Sequence, residues 1–198
     1  MRNYAESIAY WYLRLNGFFT ITDFVLHNKH GDTDILAIRP PFASEIVKGE
    51  QLREDEHLIG LVKSSKADFC KYFTCVIGEA KGGKGHLTND SITKKFDLES
   101  LKCNLRRLGL FKEDQTASVA TKLLTSKWFT YDDCATIHKV LFAHEEQFKS
   151  AATDSFSFIS LETAERFIDD RMKLDFKVRD WDKFNSEYIQ RMILTASA

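Results

Sequence analysis

The order of the chain's patterned segments limits its fold more than any other feature. An amphipathic helix leads, three β-rich segments follow, and a second amphipathic stretch comes before another β-rich one. Residues 4–15 carry Ala5, Ile8, Ala9, Tyr12 and Leu13 at helical spacing, and Gly17 stops the run. Residues 18–26 are rich in β-branched and aromatic side chains, which predicts a strand. The turn-like HNKHGD separates it from a second strand, DILAIR at 34–39, closed by Pro40 and Pro41. Residues 42–68 are mixed and charged, with a helix expected near 54–61. The third strand is YFTCVIGEA at 72–80, ending in the glycine-rich KGGKG.

Residues 90–108 read as one long helix with Ile92, Phe96, Leu98, Leu101, Leu105 and Leu108 inward. Further helices are expected at 119–128, 162–172 and 182–193, and further strands at 136–143 and 156–159. Three successive strands with short or moderate connections make an antiparallel meander, whereas a strand reached after a helix can join in parallel. The expectation is an α/β protein with a mixed sheet flanked by helices.

A chain of 198 residues with 43% hydrophobic content buries enough surface to fold without disulfides or a structural metal. Its two prolines and nine glycines argue against disorder. Cys70, Cys75, Cys103 and Cys134 form no C-x-x-C pair and no zinc-finger spacing, so a reduced, cytoplasmic setting is expected. Glu6 and Arg14 stand where a signal peptide would need an uncharged core, and the apolar runs are short, so no membrane partner is expected.

Net charge is -1, yet residues 81–107 hold seven basic and three acidic side chains, a local balance of +4. Lys84, Lys94, Lys95, Lys102 and Arg106 are the candidates for contact with nucleic-acid phosphates; a solvated helix face explains the same charges.

The chemistry points to two carboxylates. Asp34 opens the second strand and Glu79 closes the third, so an antiparallel pairing sets them side by side. Both interrupt apolar strands, where an ionised group is costly unless something compensates. A divalent cation is one such compensator. Mg²⁺ favours hard oxygen ligands and keeps several waters, so Asp34, Glu79 and the backbone carbonyl of Ala80 would suffice; Mn²⁺ is a substitute. Lys81 falls on the same face as Glu79 and could stabilise charge building on a phosphate. Glu6 lies near the buried stripe of the first helix and is the remaining acidic candidate.

Glu6 on an N-terminal helix, GDTDILAIR at 31–39 and IGEAKGG at 77–83 together resemble the PD-(D/E)-x-K superfamily of restriction-endonuclease-like nucleases, in particular its Holliday-junction-resolvase-like branch. The resemblance covers about residues 4–110. It implies a restriction-endonuclease-like core, α-β-β-β-α-β, over residues 1–145, with an insertion at about 42–68 and a helical C-terminal extension of the same domain over 146–198. It makes Asp34 and Glu79 metal ligands, Lys81 the catalytic lysine and Glu6 the helix acid. The activity implied is Mg²⁺-dependent endonucleolytic hydrolysis of phosphodiester bonds, of DNA rather than RNA, by a metal-activated water, with room for a homodimer. The glutamine that resolvase-like members carry on the following helix has no counterpart here; Asn89, Lys95 and Asn104 are the nearest substitutes. The competing reading is an inactive copy of the fold that binds nucleic acid or a protein partner.

Other features read more plainly. HNKHGDTD is a polar turn rather than a transition-metal site. KGGKG lacks the ending of a phosphate loop, and its glycines suit close approach of DNA. Cys134 reads as a small buried thiol on a strand.

Overall fold

A computed structural model describes residues 3–22, 33–47, 50–52, 54–65, 67–83, 85–132, 134–147 and 155–176. Helix α1 spans Tyr4–Leu15; Asn3 caps it by accepting the Glu6 N–H at 2.9 Å, and Glu6 returns its carboxylate to Asn3. The helix ends at Asn16 and Gly17, whose φ of 84° is in the left-handed region that glycine adopts without strain. Its buried residues are Ala5, Ile8, Ala9, Tyr12 and Leu13, the stripe that its spacing predicts.

Strands β1 (Phe19–Thr22), β2 (Ile35–Arg39) and β5 (Phe73–Lys81) form the expected antiparallel meander. The rest of 18–26 lies outside the described residues. Between β2 and β5 the charged segment makes a small hairpin of its own, β3 (Glu45–Val47) and β4 (Glu50–Leu52), and then helix α2 (Glu56–Ser64), capped by Asp55.

The expected long helix is broken. Helix α3 (Asn89–Thr93) passes through a 3₁₀ turn at Lys94–Phe96, and α4 (Leu98–Leu108) starts afresh. The break falls at Asp97, whose backbone is extended and whose carboxylate accepts the Ser100 N–H at 2.8 Å. Helix α5 spans Glu113–Leu124, earlier at both ends than the predicted 119–128, and Trp128 opens β6 (Trp128–Tyr131), a strand the pattern did not announce. β7 (Ala135–Ala143) then runs parallel to β5, β8 (Ser157–Ser160) runs parallel to β7, and α6 (Leu161–Phe176) follows. The helix expected at 182–193 lies outside the described residues.

The strand order is β1-β2-β5-β7-β6, with β8 also on β7. β6 and β8 share one side of β7: β6 pairs with its first half from Ala135 to His138, β8 with its second from Val140 to Ala143. Helices cover both faces. On one, Ala5, Ile8, Leu13, Val62, Ala164 and Ile168 pack on Ile35, Val76, Val140 and Phe142. On the other, Ile92, Phe96, Leu101, Leu105 and Leu123 pack on Leu36, Cys75, Ile77 and Leu141. Burial on both faces explains the nearly continuous apolar sequence of β5 and β7.

Among the described residues, no helix is long and apolar enough to cross a membrane. Cys134 is not the buried strand thiol expected of it: it is exposed in the turn from β6 to β7, with Sγ 3.2 Å from the Tyr131 carbonyl. The buried thiol is Cys75.

Candidate active site

The β2–β5 ladder ends at the pair Ile35↔Gly78, and side chains take over beyond it. Thr33 Oγ1 donates to the Gly78 carbonyl at 2.9 Å, and Asp34 Oδ2 accepts the Ala80 N–H at 2.7 Å. Asp34 is thereby held against β5. Strand alternation sends Glu79 and Lys81 to the α3 side, as expected for residues two apart. Lys81 Nζ donates to Asp34 Oδ2 at 2.9 Å and to Glu79 Oε2 at 2.7 Å. Asp34 thus meets two side chains 45 and 47 residues further along the sequence, Glu79 and Lys81, at one edge of the sheet.

Burial sets the electrostatics. The Glu79 side chain is only 2% exposed, against 24% for Asp34 and 28% for Lys81. Burial, followed by the charge of Asp34, pushes the Glu79 carboxyl up to about 7, with Lys81 and Lys95 pulling the other way. For Lys81, burial alone would depress the ammonium, but Glu79 and Asp34 outweigh it and hold its pKa above the ordinary lysine value. Two carboxylates share one ammonium, and the buried member of the pair, Glu79, is the one whose ionisation is held back.

Asp34 Oδ1 and Glu79 Oε1 take no hydrogen bond from the described residues. They are hard oxygen donors of the kind a small divalent cation prefers. The N–H and C=O of a strand residue point to the same neighbour, so the Ala80 carbonyl lies on the Asp34 side, past the last ladder pair. Among the described residues, no group of three or more His, Cys, Asp or Glu side chains is gathered. The donor set is two carboxylates and a carbonyl, with a lysine across them.

The other predicted residues divide. Glu6 closes the capping box of α1 from within its first turn, where both carboxylate oxygens are bonded by Asn3, and it makes no bond to the cluster. Lys94 and Lys95 are exposed on the 3₁₀ turn, without an ion pair among the described residues, and Lys95 is near enough to act on Glu79. Lys102 is bonded to Glu99 at 2.7 Å, and Arg106 holds Glu113 with Nε at 2.9 Å from Oε2. Those two ion pairs neutralise the far half of the predicted basic face. Asn104 is buried in α4, so it is not at the site's surface. Lys84, His27, His30 and Asp32 lie outside the described residues. Gly82 makes room within the protein: a Cβ there would stand 3.2 Å from that of Ala5, so glycine lets the start of α1 sit over the end of β5.

Sequence reasoning missed His144 and Glu162. His144 Nδ1 stands 2.6 Å from Glu162 Oε1, just past the end of β7 at the same sheet edge. The available signal was a histidine directly after a strand parallel to the Glu79 strand. No protein-family model, curated protein or solved structure matches the chain.

Proposed function

We propose that this chain is a metal-dependent nuclease on a restriction-endonuclease-like core, hydrolysing phosphodiester bonds of DNA. The observation that carries the reading is the convergence of Asp34 and Glu79 on Lys81 where two antiparallel strands end. An N-terminal helix over one face, a meander, a helical layer on the other face and a parallel β7 support it.

Asp34, Glu79 and the Ala80 carbonyl would hold Mg²⁺ or Mn²⁺. When bound, the cation supplies Lewis acidity toward a water and a phosphate oxygen. Lys81, kept protonated by its two carboxylates, is the donor that stabilises charge on the phosphate. Lys94 and Lys95 hold the flanking backbone through charge.

A second reading, a fold that binds without cleaving, draws on Lys81 itself: it already bridges both carboxylates and answers part of their charge. Nicking of supercoiled plasmid separates the two. The nuclease reading expects Mg²⁺-dependent relaxation that EDTA stops and that Lys81→Ala slows by roughly a hundredfold or more, with RNA cleaved more slowly in parallel. Plasmid left intact in both Mg²⁺ and Mn²⁺, or cleaved equally by the variant, excludes it.

A further inference from the structure

The register pairs Lys81 with Ala143, so His144 is the first residue beyond the strand adjacent to that of Lys81. Neighbouring strands are about 4.8 Å apart, which brings the two backbones close. The residue is held by two contacts to its ring and one to its backbone. Nδ1 faces Glu162 Oε1 at 2.6 Å, the backbone N–H donates to Gln147 Oε1 at 3.2 Å, and the Tyr4 ring stacks at a centroid distance of 6.4 Å and 13° between planes. Glu162 is itself held, because its Oε2 accepts the Glu145 N–H at 3.2 Å. Nothing among the described residues bonds Nε2, and the side chain is 28% exposed. An imidazole with a carboxylate on Nδ1 presents Nε2 as its working atom, and the carboxylate steadies the charge of the protonated ring.

Alternation places this ring opposite the carboxylates. Lys81 and its partner Ala143 face the α3 side, and Ala143 packs in that core. His144 therefore falls to the other face, where Tyr4 of α1 meets it. A phosphodiester laid across the strand ends would have the Asp34–Lys81–Glu79 cluster on one side and Nε2 on the other. Displacement at phosphorus requires attacking and leaving oxygens roughly in line, on opposite sides of the phosphorus.

We infer that His144 is the general acid of the proposed hydrolysis, giving its Nε2 proton to the leaving oxygen, and that Glu162 is its positioning residue. The inference rests on the nuclease reading. A bond forms between the water oxygen and phosphorus, and the bond from phosphorus to the leaving oxygen breaks with its electron pair remaining on that oxygen. The Nε2 proton passes to that oxygen, the water proton passes to solvent, and solvent reprotonates the imidazole. General acid catalysis of this kind contributes about 10²–10⁴-fold.

The test compares two duplexes cut at the same position, one with an ordinary linkage and one with sulfur as the bridging leaving atom, made in both the 3′ and 5′ forms. A thiolate leaves without a proton. His144→Ala should slow the ordinary linkage at least thirtyfold and the sulfur linkage less than threefold, with added imidazole restoring part of the lost rate. Glu162→Gln should show the same selectivity at smaller size. Duplex affinity without metal, read by fluorescence anisotropy, should be unchanged in His144→Ala. Equal slowing of both linkages, or none, overturns the assignment while the nuclease reading stands. A wild-type protein that cuts neither linkage removes the nuclease reading, and the general acid with it.

Discussion

The Asp34 carboxylate accepts the backbone N–H of Ala80 at 2.7 Å, taking the place of a ladder partner that β2 no longer provides. The residue is thus both part of the strand pairing and a proposed ligand, and two substitutions separate those roles. Asp34→Asn keeps an oxygen for the Ala80 N–H and should abolish cleavage with little loss of stability. Asp34→Ala leaves that N–H unpaired and should cost a further 1–2 kcal/mol or so in urea denaturation. Equal stability of the two variants would show that the Ala80 contact contributes nothing.

Lys94 and Lys95 differ from Lys102 and Arg106 in forming no ion pair among the described residues. Alanine at either of the first two should weaken DNA binding and lower the salt dependence of affinity by about one unit of slope each. Alanine at Lys102 or Arg106 should change it less. Anisotropy titrations across a range of salt concentrations measure both, and the opposite ranking would move the proposed DNA contact along the helix.

Burial pushes the imidazole of His138 down to about 4, and its Nε2 lies 3.2 Å from Thr136 Oγ1. A histidine with a depressed folded pKa contributes stability that is whole above its unfolded value near 6.5 and is lost as pH falls through 4. At about 1.4 kcal/mol per unit of separation, the loss amounts to roughly 3 kcal/mol. The stability difference between wild type and His138→Gln should therefore shift against the wild type between pH 7 and pH 4. A difference independent of pH would mean that His138 is not held neutral.

Asp97 ends one helical segment and begins another. Asp97→Ala removes the cap on the Ser100 N–H and should destabilise the protein by about 1 kcal/mol. Unchanged urea unfolding would show that the cap is dispensable.

Much of this was legible in the chain, for physical reasons that differ by element. The apolar runs around Ile35 and Val76 fix strands because both faces of the sheet are covered. Glu79 was visible because an acid is out of place in such a strand; Asp34, expected to open the second strand, lies one residue before it. The break at Asp97 was hidden because Ile92, Phe96, Leu101 and Leu105 keep an inward pattern on both sides of it. The hairpin at Glu45–Val47 and Glu50–Leu52 has strands too short for a period to register. β6 follows α5 so closely that the helix expectation ran on to Trp128. The His144–Glu162 pair depends on β8 lying parallel to β7, a long-range pairing that no local pattern encodes. Glu6 was read by its place near the buried stripe, whereas its carboxylate is engaged by the Asn3 cap.

Calorimetric titration with Mn²⁺ tests the central claim most directly. One ion per chain should bind the wild type, and neither Asp34→Asn nor Glu79→Gln should take it up with comparable affinity. Absence of binding to the wild type, or binding that both substitutions leave unchanged, would contradict a cation site built on these two carboxylates.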